Sequence, residues 1–211
     1  MANLSSRFAG HASHRLDRVK IPPLSEQLDY KPAPPPLQPV QAFVNTVDSE
    51  QGYDLLDDPG TALAWLRREK LIGSGKRLDS AQLAELREIR EGLRAMLVHN
   101  GGGPAPTASD LRPLRALARN GRPQLGVDAS GRFEIGPSPG GELRDGLLGL
   151  LVAVRDAQAD GSWPRLKACR NPECQWAFFD RSRNRQGAWC EMTTCGNRLK
   201  NRAFRARHRG D

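Results

Sequence analysis

All four cysteines of this 211-residue chain lie in its last fifth, at Cys169, Cys174, Cys190 and Cys195. Their spacing, C-x4-C-x15-C-x4-C, is the strongest constraint that the sequence places on a fold. A tetrahedral four-thiolate site requires two close pairs divided by a short insert. Each pair supplies two ligands from one turn, and the insert, as a loop or hairpin, brings the pairs together. Pro172 sits inside the first pair and Gly196 follows the last cysteine; both suit tight turns around a metal. Four sulfur ligands close the coordination shell, so one structural Zn2+ is expected rather than a catalytic ion. The alternatives are two disulfides or an iron–sulfur cluster. The N-terminus lacks the apolar run of a secretory signal, and in the reducing compartment this implies, disulfides are disfavoured. The basic, sequence-local, paired layout favours zinc over a cluster. Zinc would supply such a segment with folding free energy on the order of 10 kcal/mol.

The charge falls in the same place. The chain carries +8 at pH 7, yet residues 1–160 hold 20 basic and 20 acidic side chains, whereas residues 161–211 hold 12 and 4. A neutral domain joined to a basic module points to a polyanion partner. No apolar run approaches the ~18 residues needed to span a bilayer. The longest, "GLLGLLVAV" at 146–154, reads as a buried helix, and no membrane partner is expected.

Residues 1–39 read as a disordered, proline-rich extension ending in "KPAPPPLQP", a semi-rigid spacer. Residues 40–161 read as one mostly helical domain. Val40, Phe43, Val44 and Val47 have helical spacing. A second helix covers 61–72 with Thr61 as its N-cap, and a third covers 79–100, with Leu83, Leu86, Ile89, Leu93 and Leu97 as its apolar stripe, Asp79 or Ser80 as cap and "GGG" as terminator. A helix at 109–121 tolerates Pro113 only in its first turn. Residues 123–137 alternate about "DASG" as a hairpin, and 141–161 form a last long helix. This part has no phosphate loop, nucleophile motif or histidine cluster, so no catalytic role is expected. His99 at a helix end belongs with terminal carbonyls, and "DLLDD" at 54–58 reads as a loop or helix cap, although it could also hold a metal. Asn45, polar on an apolar face, is either a satisfied core amide or a ligand-fixing group.

Within the cysteine module, Trp176, Phe178, Phe179 and Trp189 are needed as core in so small a unit, the alternative being that they stack on bases. Arg181, Arg183 and Arg185 alternate and, in an extended segment, would project to one side. After Cys195 the chain reads as a helix with Arg198, Arg202, Arg205 and Arg209 on one face. A packed stripe backed by an arginine stripe suits a nucleic-acid groove.

Together, "C-x4-C", "FFDRSRN" (178–184), "WC" (189–190) and "CGNRLK" (195–200) resemble the CGNR zinc finger family. The match covers Cys169 to about Arg202. In that family the finger is C-terminal and follows a domain of the stress-induced transcription regulator type that commonly opens with "FVNT"; here "AFVNTVD" (42–48) and "ALAWLRREKLI" are similar. "QGAW" (186–189) lacks the basic residue that the family usually places just before "WC". The resemblance implies a bacterial DNA-binding regulator whose N-terminal domain senses a ligand or mediates assembly.

The fold class expected is therefore mainly α with a small β-hairpin (α+β): a helical domain at 40–161 and a four-cysteine zinc finger at 165–209 ending in a basic helix. The function expected is that of a zinc-dependent regulator binding double-stranded DNA in the bacterial cytoplasm, at the nucleoid. Arg181, Arg183 and Arg185 would contact phosphates, Asn197 and Arg198 would reach base edges, and Lys200, Arg202 and Arg205 would continue the track. A homodimer is expected because one finger spans few base pairs, and a small-molecule effector is a further candidate partner. The competing readings are an RNA-binding protein using the same module, and a small-molecule-binding or enzymatic N-terminal domain with the finger used for assembly.

Overall fold

The structure, a computed structural model, describes residues 21–28, 31–136 and 141–197. Its spine is the helix α4, Ser80–Asn100, against which other elements pack. A capping box starts α4: Asp79 accepts from the Gln82 N–H, and the Gln82 side chain accepts from the Asp79 N–H. Leu83, Leu86, Ile89, Leu93 and Leu97, the stripe read from the sequence, are all buried. Upstream lie α1 (Leu24–Leu28), α2 (Gln38–Val44) and α3 (Pro59–Arg68), with a two-stranded ribbon, β1 (Val47–Asp48) and β2 (Tyr53–Asp54), between α2 and α3. Downstream come α5 (Ala108–Asn120), the hairpin β3–β4 (Gln124–Val127, Phe133–Gly136), α6 (Leu143–Ala159), and a last hairpin, β5–β6 (Leu166–Ala168, Ala177–Phe179). All three sheets are antiparallel pairs, so the class is α+β.

Helices here approach backbone very closely, and two glycines permit it. A Cβ on Gly92 of α4 would lie 2.6 Å from the Asp110 carbonyl, and one on Gly146 of α6 would lie 2.0 Å from that of Leu71. The glycines inside "REGLR" and "RDGLL" are thus contact points between elements, which outweighs their helix-weakening tendency.

Several local expectations need correcting. The run 31–39 is not a free spacer: Ala33 and Leu37 are buried, the Ala33 N–H donates to Gln41 Oε1 at 2.7 Å, and the Lys31 carbonyl accepts from the Phe179 N–H of β6. Only residues 31–34 precede the helical turns, since Pro35–Leu37 form a 3-10 turn that runs into α2, and the chain meets β6 at Lys31. Asp58, not Thr61, caps α3, because Pro59 fills the first helical position and Asp58 Oδ2 accepts from the Thr61 N–H. Pro113 lies beyond the first turn of α5; a Thr107–Asp110 capping box and the buried Leu114 and Leu117 hold that helix despite the missing N–H. Val47 belongs to β1 rather than to α2. "DLLDD" is structural: Asp54 makes two hydrogen bonds to the buried Arg90, Leu55 and Leu56 are core, and Asp58 is the cap. His99 Nδ1 lies 3.4 Å from the Gly103 carbonyl. The hairpin at 124–136 forms around the Asp128–Gly131 turn, but Leu125, Val127, Phe133 and Ile135 are all exposed.

One core joins the helices to β5–β6. Leu166, Ala168, Ala177 and Phe179 of β5–β6 join the same buried cluster as the helices, and β5 packs on α4. The cysteine module is built onto the helical domain, not tethered to it.

Candidate metal centre and nucleic-acid interface

Cys169 and Cys174 flank the tip of the β5–β6 hairpin. The turn is tight: the Asn171 carbonyl accepts from both the Cys174 and Gln175 N–H groups, Gln175 takes a left-handed φ of 50°, and the Cys169 N–H reaches the Trp176 carbonyl at 2.9 Å. The hairpin thus surrounds the first cysteine pair rather than forming in the insert. Cys195 lies in a wide π-type turn, Met192–Gly196, and Cys190 just precedes it. The Arg170 N–H bonds the Ala188 carbonyl and draws the two pairs together.

The four Sγ atoms lie within 4.8 Å of one another. Cys174–Cys190 and Cys190–Cys195 are each 3.7 Å apart, and no pair is a disulfide. Zn–S bonds of ~2.3 Å in a tetrahedron put sulfurs ~3.8 Å apart, so the site has the dimensions of a four-thiolate zinc centre. Hydrogen bonds from Cys174 and then Cys190 hold the Cys169 thiol far below its ordinary range, at about 2, while the same contacts push the Cys174 and Cys190 thiols up. Four thiols this close cannot all ionise without a cation among them. The Asn171 amide, 3% exposed, lies 3.7 Å from Cys195 Sγ, where it can orient a thiolate ligand from outside the coordination shell.

Polar side chains reaching across from the helices bind the module's backbone. Asn45 Oδ1 accepts from the Ala177 N–H at 2.7 Å, and Asn45 Nδ2 donates to the Ala177 and Gln27 carbonyls. Asn45 is therefore a satisfied core amide that pairs with β6 as a neighbouring strand would. Gln41 Nε2 also donates to the Ala177 carbonyl, and Arg94 donates to the carbonyls of Gln175 and Val44. Sequence reasoning singled out only Asn45 here; a polar residue on an apolar helical face was the signal.

The insert is organised from inside by Asp180. Its carboxylate accepts from Lys167 Nζ at 2.8 Å, from the N–H and hydroxyl of Ser182, and from the Gly187 N–H. Lys167 also donates to the Arg185 and Gly187 carbonyls. Both ion-pair side chains are buried. Burial acts to raise the Asp180 carboxyl, but Lys167, Ser182 and Gly187 outweigh it and hold the group well below the usual carboxylate range. "FFDRS" is thus a structural motif: Asp180 and Ser182 shape a loop that carries the arginines. Asp180→Asn should leave the Lys167 ammonium buried without a counter-charge and cost about 3–5 kcal/mol. A depressed carboxyl contributes stability above its unfolded pKa of about 4 and loses it as pH falls toward the folded value. Urea midpoints between pH 7 and 3 should fall in the parent and lack that component in Asp180→Asn.

Arg181, Arg183 and Arg185 are all exposed, but on a turn, not on one side of an extended segment. The Arg185 N–H returns to the Ser182 carbonyl, and Arg185 has a φ of 55°. Arg181 donates to the Pro32 carbonyl and lies 6.0 Å from the Phe179 ring centre. Arg183 makes no hydrogen bond or ion pair among the described residues. Trp176, Phe178 and Phe179 are buried, in keeping with their reading as core. Asn197 is exposed at the end of the Cys195 turn. Arg198, Lys200, Arg202, Phe204, Arg205 and the basic helix expected there lie outside the described residues.

Fold and site together define a helical domain of the α+β class with a four-cysteine, metal-binding module built into its core. Residues 37–160 match the family described as "Putative stress-induced transcription regulator", and residues 165–208 match the CGNR zinc finger. The first match covers more than half of the chain, and the protein belongs to that family, with a CGNR zinc finger following. No curated protein matches the chain. Among the described residues no helix is long and apolar enough to cross a membrane.

Proposed function

We propose that this protein is a zinc-dependent regulator of transcription that binds double-stranded DNA through its C-terminal module. Cys169, Cys174, Cys190 and Cys195 hold one structural zinc ion, and the chain has no catalytic role. The observation that carries the reading is the arginine loop. A buried Lys167–Asp180 pair beside the metal cluster fixes a turn whose three arginines face solvent. A buried ion pair spent on shaping a cationic surface favours a polyanion over a merely solvated loop. Trp176, Phe178 and Phe179 are buried and Trp189 is half-buried, which leaves little of the stacking platform that single-stranded RNA would need and favours duplex DNA. Arg181, Arg183 and Arg185 bind phosphates. Asn197, with Arg198 next to it, reaches base edges, and Lys200, Arg202 and Arg205 extend the track. The protein acts as a homodimer at the bacterial nucleoid, since one such module spans too few base pairs for useful specificity.

Arg183 gives the cleanest test, because its loss breaks no hydrogen bond or ion pair among the described residues. Arg183→Ala should weaken binding to all duplex sequences alike and lower the slope of log K against log salt by about one. Anisotropy titrations across a salt series measure this. An unchanged slope and affinity would remove the loop from the interface.

A further inference from the structure

A cavity of about 340 Å3 lies where the helical domain meets the metal module. Glu26 of α1, with Asp48, Glu50 and Tyr53 of the β1–β2 ribbon, forms one wall. The other is formed by Trp176 and Glu191, with three of the cysteines beside them. Its volume suits a small organic molecule.

The cavity is acidic in a chain whose net charge is +8. Glu26 and Asp48 pair with no cation among the described residues. Glu191 Oε2 accepts from the Thr194 hydroxyl at 2.9 Å. The Tyr53 phenol reports the same field: burial, then Asp48 and Glu26, push it up to about 12. Independently of the carboxylates, the wall contains an unpaired donor. Trp176 is 9% exposed, and its indole N–H is buried without an acceptor. A buried donor without a partner costs about 1–3 kcal/mol, a cost that a bound acceptor would relieve.

We propose that this cavity binds a small organic cation that also carries a hydrogen-bond acceptor. The ammonium or guanidinium group lies among Glu26, Asp48 and Glu191, and the acceptor takes the Trp176 N–H. A bare divalent ion does not fit, because the four cysteines are the only side chains among the described residues close enough together to ligate one. Nucleic acid is excluded by charge. The site spans both parts of the chain and includes Thr194 and Cys195 of the turn that leads directly to Asn197. A ligand there bears on the start of the nucleic-acid segment, which makes it the effector site of the regulator. That regulatory consequence rests on the DNA-binding reading; the binding itself does not.

The test uses the full chain with its zinc content measured. Calorimetry is run with ethanolamine and choline as acceptor-bearing cations, ethylammonium as a cation lacking an acceptor, and glycerol and acetate as neutral and anionic controls. The expected result is saturable binding of at least one acceptor-bearing cation, with none for the controls. Glu26→Gln combined with Asp48→Asn should weaken that binding at least tenfold. Trp176→Phe, which removes the donor together with part of the ring system, should weaken ethanolamine about ten times more than ethylammonium. Failure of every cation to bind at millimolar concentration would overturn the proposal. So would equal binding by the carboxamide variant at parental zinc content and circular dichroism. If that variant loses zinc, the Trp176→Phe comparison decides: equal losses for ethanolamine and ethylammonium, or none for either, overturn it. Cation binding by a protein without affinity for duplex DNA would leave the cavity standing and sink the DNA-binding reading.

Discussion

Cys190→Ala abolishes stoichiometric zinc binding and destabilises the helical domain as well as the cysteine module. Cys190 sits between two other ligands, 3.7 Å from both Cys174 and Cys195, so its loss opens the centre of the cluster. Structural zinc contributes on the order of 10 kcal/mol to modules of this size. In a tethered finger that loss would stay local. Here Leu166, Ala168, Ala177 and Phe179 lie in the same core as α2 and α4, and the Phe179 N–H holds the segment at Lys31. The expected result is a fall in melting temperature of about 20 °C or more, with Trp65 and Trp163 of the helical core becoming exposed in the same transition as Trp176 and Trp189. Chelation of the parent should reproduce it, and added zinc should reverse it. Because zinc must displace the remaining thiol protons, its apparent affinity should fall as pH falls. A helical domain that melts unchanged after Cys190→Ala would mean that the two parts fold separately.

The second large effect is expected far from the metal. Asn45→Ala removes the partners of the Ala177 N–H, one partner of the Ala177 carbonyl and the partner of the Gln27 carbonyl, all in a buried setting. Gln41 still reaches the Ala177 carbonyl, so the largest share comes from the orphaned N–H. Each buried group left unpaired costs about 1–3 kcal/mol, giving a total on the order of 4 kcal/mol. Asn45→Asp keeps the acceptor for the Ala177 N–H but loses the donor and buries a charge, so it should be no better. Urea unfolding followed by tryptophan fluorescence measures both. A cost below about 1 kcal/mol would show that hydrophobic contact alone holds β6 to α2.

Periodic features were the legible ones. The α4 stripe and its Asp79 cap, the hairpin about 128–131 and the cysteine spacing all follow rules read along a few residues. What was hidden depends on partners far apart in the chain. Nothing near Lys31 says that β6 lies beside it, or near Leu37 that α6 does, so a proline-rich stretch reads as a spacer until its neighbours are known. Lys167 and Asp180 look like two surface charges in a basic module, and only the hairpin register places them together inside. Asn45 looked anomalous for the right reason, since a polar group on an apolar face must be bonded, but the partner lies 132 residues away. Pro113 was misplaced because capping and tertiary burial overrode a local rule. The arginines were legible as a charge excess but not as a turn, because the turn is set by Asp180 reaching Ser182 and Gly187.

The most direct test of the account is equilibrium binding of duplex DNA by the zinc-loaded protein, by the chelated protein and by the chelated protein resupplied with zinc, each across a salt series. The account predicts tight, steeply salt-dependent binding in the first, its loss in the second and its return in the third. A folded, zinc-loaded protein that binds no duplex at low salt, or a chelated one that binds as well as the parent, would contradict it.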